Sequence, residues 1–173
     1  RTEAGLRWYT ENLATDFYAP YHRWRPGLPE TWLFDRAKAL HRRDPANPAA
    51  FHREPSLSDP AWLATVAARL ADTARHQAPH RPLFHNLADE GGIADLAAAW
   101  DFDISPPSLA AMRDWLRHRH GMLAALNAAW GRDFKSWDEV EPALTRDALR
   151  DEAAVPSWME FKAWMDVAFA RAV

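Results

Sequence analysis

The feature that most constrains the fold is a capped helical segment that leads into a short apolar stretch between prolines. Ser58-Asp59-Pro60 has the N-cap residues and the first-turn proline of a helix start, and apolar side chains then recur at helical spacing. Pro79 and Pro82 end that pattern, and an apolar run follows. We therefore predict a helix over 59–77 followed by a buried parallel strand over 82–89. Such a pair is one unit of a parallel α/β fold.

Breakers and caps predict further helices on both sides of this unit. The predicted segments are a short helix over 30–42 with Thr31 as N-cap, a helix from Ser105-Pro106-Pro107 to His120-Gly121, a helix from Met122 to Trp130 ended by Gly131, and a last helix that begins at Pro156. The chain is therefore expected to be rich in helix.

Composition excludes several classes of function. The net charge of −3 does not favour a nucleic-acid or anionic-membrane partner, and no apolar run is long enough to span a bilayer. The lack of cysteine excludes disulfides, thiolate zinc sites and thiol nucleophiles. The histidines lack metal-ligand spacing, and phosphate-binding glycine loops are missing, so we expect no cofactor. A soluble protein is expected, either cytoplasmic or exported, and the sequence leaves both a monomer and a homo-oligomer open.

The two ends of the sequence favour a piece of a longer protein. The chain starts at Arg1 without a methionine, and Ala172-Val173 lies inside a helical pattern without a capping glycine. The alternative is a complete small domain whose start was removed by processing.

The predicted strand ends in two adjacent acids, Asp89 and Glu90, followed directly by Gly91-Gly92. Loops at the carboxyl ends of parallel strands converge on ligands, and glycines let the chain turn sharply and a substrate approach closely. The pair is therefore a candidate catalytic or binding site. The alternative is that both acids are solvated loop residues that cap the next helix.

A longer pattern of residues resembles a known family. It comprises Asp89-Glu90, Arg113-Asp114-Trp115-Leu116, His120-Gly121, Leu123 to Gly131, Ser136 to Val140 and Pro156 to Phe161. Over roughly residues 82–173 this combination resembles the beta-galactosidase-like glycoside hydrolases of family 42.

The resemblance implies part of a (β/α)8 TIM barrel, with few short parallel strands and retaining glycosidase chemistry. Residues 1–173 would be a single segment of the catalytic barrel, from about strand 3 to helix 4. Glu90 would be the general acid/base, and the nucleophile would come after Val173. The family usually has asparagine before that glutamate, whereas this chain has Asp89, which is expected to contact substrate.

Aromatic and polar side chains near the N-terminus are further candidates for substrate binding. Sugars present apolar C–H faces on which aromatic rings stack, and hydroxyls that polar groups bind. The candidates are Tyr18, Tyr21, His22, Arg23 and Trp24 in one loop, together with Glu11 and Asn12 after a strand-like run. The alternative for the loop is that its rings pack against the outside of the fold.

Three hypotheses for function follow. The first is a glycosidase that acts on a carbohydrate with Glu90 as proton donor. The second is a carbohydrate-binding relative without catalysis, which Asp89 in the asparagine position motivates. The third is a helical interaction domain, which near-zero strand content around 82–89 would favour.

Overall fold

The computed structural model describes residues 5–15, 33–88, 91–93 and 101–173, which are mainly helical. Within these ranges there are six α-helices, numbered here in chain order. They are α1 (Leu33–Arg43), α2 (Pro60–Gln77), α3 (Pro106–His120), α4 (Leu123–Trp130), α5 (Thr145–Ala148) and α6 (Val155–Ala172). Short 3₁₀ helices occur between them at Pro48–Phe51, Ala78–His80, Trp137–Glu139 and Glu152–Ala154.

Helix α2 begins where its cap was predicted. The Asp59 carboxylate accepts hydrogen bonds from the backbone N–H groups of Ala61 and Trp62, at 2.9 and 3.3 Å. These are donors that the first turn of a helix cannot pair internally. The predicted helix over 59–77 is confirmed.

Glycines end the next two helices, as the sequence predicted. Gly121 after α3 and Gly131 after α4 both have positive φ, 73° and 62°. Glycine adopts such angles without the steric cost that a Cβ atom brings. The four-residue helix α5 was not predicted, because one turn is too short to produce a periodic pattern.

Buried apolar side chains form two clusters, and α6 contributes to both. The larger cluster joins α3, α4 and α6, and its best-buried large side chains are those of Met112, Leu116, Leu126, Val140, Phe161 and Trp164. The smaller one contains Ala14, Leu57, Val66 and Ala172, with Leu87, Ala88 and Phe169 packed against it. The smaller cluster thereby ties α2 and the end of α6 to residues 83–88.

The prediction of a buried parallel strand over 82–89 is wrong. Residues 83–88 are extended, but their pairing with the N-terminal segment produces only one isolated parallel bridge, between Thr10 and His85. Leu83 and Phe84 are 52% and 53% exposed. Parallel strands are normally covered on both faces, and this segment lacks that cover.

The predicted fold class needs the same correction. The described ranges contain a helical assembly with no named strand, and therefore no sheet or barrel. A partial (β/α)8 TIM barrel with short parallel strands is not the fold of these residues. The local pattern predicted a strand over 82–89, but it carried no information about whether neighbouring strands would be present.

Candidate functional site

The candidate site lies next to two extended segments whose backbones run in parallel. Leu83 N–H donates to Trp8 O at 2.8 Å, and Asn86 N–H donates to Thr10 O at 2.8 Å. The side chains of Thr10 and His85 also meet, with 2.7 Å between Oγ1 and Nδ1. These contacts fix the stretch of chain that ends just before Asp89.

Asn12 explains why this pairing ends after a single bridge. Its φ is +59°, in the left-handed region that a strand residue does not use but that asparagine tolerates better than most. Beyond it the register changes, because Leu13 and Ala14, rather than Asn12, donate to Asn86 O and Leu87 O at 3.2 and 2.7 Å. Asn12 was predicted to face a binding cleft, and in the structure it is an exposed residue at the break in the pairing.

An open cavity of about 510 Å³ lies at the end of the second extended segment. Ala88 and Gly91, the residues on either side of Asp89-Glu90 in the sequence, both line it. The other lining residues are Phe84, His85, Asn86, Leu87, Phe169 and Val173. Most of the lining residues are apolar, and the polar ones are His85 and Asn86.

Tyr9 and Phe84 form a stacked aromatic pair at the edge of this cavity. Their ring centroids are 4.6 Å apart and their planes differ by 18°. Both rings are about half exposed, and Phe84 is the one that lines the cavity. An exposed ring beside a cavity offers a flat apolar surface of the kind on which sugar C–H faces stack.

Glu11, a predicted substrate-binding residue, is exposed and forms a hydrogen bond with Tyr9 of this pair. The Tyr9 hydroxyl donates to Glu11 Oε1 at 2.7 Å. This hydrogen bond, together with the negative charge of Glu11, raises the pKa of the Tyr9 phenol above its ordinary value. Glu11 does not line the cavity. It contacts Tyr9, whose ring stacks on the cavity-lining ring of Phe84.

A buried arginine, Arg53, forms hydrogen bonds with the backbone of residues that follow Glu90 in the sequence. Arg53 is 1% exposed, and its guanidinium donates to the carbonyl oxygens of Gly92 and Ile93 at 3.3 and 3.2 Å. It also donates to Pro55 O at 2.5 Å. Sequence reasoning missed Arg53, because one arginine in a proline-rich stretch looks the same as a solvated one.

Arg53 is itself supported by a buried carboxylate. Asp103 Oδ1 accepts from the Arg53 backbone N–H at 3.0 Å, and Asp103 Oδ2 accepts from Ser56 Oγ at 2.6 Å. Ser105 adds two more donors to Asp103, its N–H at 2.8 Å and its hydroxyl at 2.9 Å. Four hydrogen bonds compensate for burying this carboxylate.

Most of the predicted site residues lie outside the described ranges. These are Asp89 and Glu90, and the loop residues Tyr18, Tyr21, His22, Arg23 and Trp24. The structure brings together only what flanks the acid pair: the paired segments, the cavity and the Arg53 anchor.

Neither a metal-binding cluster nor a membrane-spanning helix is found among the described residues. No three or more acidic or histidine side chains among them are grouped so as to hold a metal ion. In the same parts of the chain, none of the helices has the length and apolar character needed to cross a membrane.

Comparison with known proteins connects the C-terminal part of the chain to one family. Residues 96–173 match the family model of glycoside hydrolase family 42, which is described as beta-galactosidase. No curated protein and no solved structure matches the chain. The match covers α3 to α6 and begins after Glu90, so it does not test that residue. Over residues 96–173 it confirms the resemblance inferred from the sequence: this segment is related to the glycoside hydrolases of family 42.

Proposed function

We propose that this protein acts as a glycosidase on an O-glycosidic bond, with Glu90 as the general acid/base of a retaining, two-carboxylate mechanism. The observation that carries the proposal is the cavity bounded by Ala88 and Gly91, directly beside the acid pair in the sequence. The relationship of residues 96–173 to a beta-galactosidase family gives independent support. The carbohydrate would be the substrate.

The proposed chemistry requires two carboxyl groups with different tasks. One protonates the leaving-group oxygen, and the other attacks the sugar to form a covalent glycosyl-enzyme. Asp89 is adjacent to Glu90 and is assigned to substrate binding rather than to nucleophilic attack. Its negative charge would raise the proton affinity of Glu90, which suits a general acid. The nucleophile is not assigned to any residue of these 173.

The exposed parts of the site are proposed to bind the sugar. The half-exposed ring of Phe84 offers an apolar face on the cavity wall. Glu11 and Asn12 are exposed beside the Tyr9–Phe84 pair and supply polar groups at its rim. The aromatic and basic loop residues Tyr18, Tyr21, His22, Arg23 and Trp24 are proposed as a further subsite wall.

The test is a Glu90→Gln variant of the natural polypeptide that contains these residues. Loss of general acid catalysis is expected to slow hydrolysis of substrates with poor leaving groups by about 10²–10⁴-fold. Activated aryl glycosides should lose little rate in the glycosylation step, because their leaving group needs little protonation. Azide should restore turnover of the aryl glycoside, since it attacks the glycosyl-enzyme without a general base.

A Glu152→Gln variant is the matched control, because Glu152 is exposed and is not among the cavity-lining residues. It should behave as the wild type does with both substrates. Equal losses on both substrates in Glu90→Gln, without azide rescue, would show that Glu90 is not the acid/base.

Two specific observations favour other candidate functions. Aspartate in the place of the family's usual asparagine favours a carbohydrate-binding relative without catalysis. The low strand content of residues 82–88, which form one isolated bridge through His85, favours a helical interaction domain. Sugar binding without turnover in the wild type would support the former, and the lack of both would support the latter.

A further inference from the structure

A second cavity, of about 370 Å³, lies where three parts of the chain meet. Residues within 46–52 form one wall, residues within 104–109 another, and residues within 141–147 the third. Its volume falls in the range of about 300–1,000 Å³ that small-molecule sites have. It shares no lining residue with the cavity at residues 84–88, so the proposed catalytic site does not account for it.

Hydrogen bonds hold the three walls in place. The Ile104 N–H donates to Phe51 O at 3.1 Å, which joins the first wall to the second. The third wall is fixed to α6, since the Ala143 N–H donates to Ser157 Oγ at 2.9 Å. A site that is already formed loses less conformational freedom when a ligand binds, which favours affinity.

Each wall presents apolar surface to the cavity. Pro48 and Pro106 are exposed, and Ile104, Leu109 and Pro142 are partly buried. Removing such C–H surface from water favours a ligand that has apolar faces of its own.

The third wall also carries an arginine and two carboxylates. The Arg146 guanidinium lies 5.9 Å from the centroid of the Phe51 ring, and it donates to Pro45 O at 3.1 Å. Its Nε lies 3.8 Å from Asp147 Oδ1, and Glu141 is an exposed second carboxylate in the cavity lining. A guanidinium has five N–H donors, so these contacts leave donors for a ligand.

This combination of charges selects the class of ligand. An anion would meet two carboxylates, a cation would meet the guanidinium, and a wholly apolar ligand would bury charged groups without giving them hydrogen bonds. A hydroxyl both donates and accepts, so it pairs with either kind of group. A neutral sugar combines such hydroxyls with apolar C–H faces.

We propose that this cavity is a second carbohydrate-binding site, in which Arg146, Asp147 and Glu141 form hydrogen bonds with the hydroxyls of a neutral sugar. His52 lines this cavity and also a neighbouring one of about 380 Å³, so there is room for a longer saccharide to continue past its imidazole. The inference goes beyond the proposed function, because no residue of the proposed catalytic site takes part in it.

The experiment measures hydrogen exchange of the natural polypeptide with methyl β-thiogalactoside and methyl β-thioglucoside, whose thioglycosidic bond resists hydrolysis. Peptides that cover 46–52 and 141–147 report on the second site, and a peptide that covers 83–88 reports on the proposed catalytic cavity. Benzylamine serves as the cationic comparison. The variants are Arg146→Met, which removes the donors, and Ala46→Met, which narrows the cavity at an exposed lining position.

We expect at least one thioglycoside to slow exchange in both reporting peptides, in a manner that saturates with concentration. Arg146→Met should raise the half-saturating concentration by about tenfold, because hydrogen bonds to a charged group are lost. Ala46→Met should raise it as well, without touching a polar group. Arg150→Met is the matched control, since Arg150 is exposed and does not line the cavity, and it should bind as the wild type does.

The second site is refuted if neither sugar protects 46–52 and 141–147, if Arg146→Met leaves the protection unchanged, or if benzylamine alone protects. These outcomes are separable from failure of the proposed function. If Arg146→Met weakens sugar binding while Glu90→Gln shows no dependence on the leaving group, the second site stands and the catalytic assignment falls. If Glu90→Gln behaves as expected and the two peptides are not protected, the reverse holds.

Discussion

The Glu160 carboxylate accepts hydrogen bonds from residues at the C-terminal ends of two neighbouring helices, α3 and α4. It accepts from His120 and Trp130 at 2.8 Å, and from Arg119 at 2.8 Å. Burial alone would raise the pKa of Glu160, but the three donors outweigh it and hold the pKa below the ordinary value of 4.5. One side chain of α6 thus ties together the last residues of α3 and α4.

The lowered pKa of Glu160 predicts a pH dependence of stability. The unfolded state binds a proton at higher pH than the folded state does. The stabilisation is therefore complete above about pH 4.5 and is lost as the pH falls through the folded-state pKa. Glu160→Gln should lower the free energy of unfolding by about 1 kcal/mol at pH 7, and the difference should shrink below pH 4.

Urea denaturation at several pH values measures this effect. Glu141→Gln provides the control, since Glu141 is exposed, and it should follow the wild type across the whole range. A difference between Glu160→Gln and wild type that stays constant down to pH 3 would contradict the linkage.

At the scale of single elements, α2 depends on its N-cap. Asp59→Ala removes the acceptor for two backbone N–H groups and should cost about 1 kcal/mol. Asp59→Asn keeps a side-chain oxygen in the same place and should cost less than half of that. Chemical denaturation followed by circular dichroism tests both variants, and equal losses would show that the cap oxygen contributes nothing.

The helices could be predicted from the sequence because their boundaries are set locally. Asp59, Gly121 and Gly131 each act on the backbone within one turn, and the observed ends agree with the predicted ones. The strand over 82–89 could not be judged in this way. Whether an extended segment becomes a strand depends on distant partners, and here the left-handed Asn12 interrupts the pairing.

The residues of the candidate site also differ in how far the sequence alone indicates them. Glu11 and Asn12 were predicted to bind substrate from their place after a strand-like run, and this stays a prediction: both lie on the N-terminal segment that pairs with 83–88, but neither is among the cavity-lining residues. Arg53 was missed, because its importance comes from contacts with residues about 40 positions away. Such a contact leaves no periodic trace in a single sequence.

At the scale of the whole molecule, α6 joins the two apolar clusters. Phe161 and Trp164 pack into the larger one, whereas Ala172 and Phe169 reach the smaller one beside residues 87 and 88. The segment with the family match therefore builds most of the larger core and also part of the cavity wall, through Phe169 and Val173.

The single bridge between Thr10 and His85 has a consequence for the order of events in folding. The paired residues are 75 positions apart, while α3 and α4 are separated by only two residues. Contacts between distant parts of a chain form slowly, because the loop between them must first be closed. Pulse-labelled hydrogen exchange should therefore show protection of α4 amides before that of Asn86, and the reverse order would contradict this. The cavity lined by Ala88 and Gly91 would then be completed last, on a helical core that has already folded.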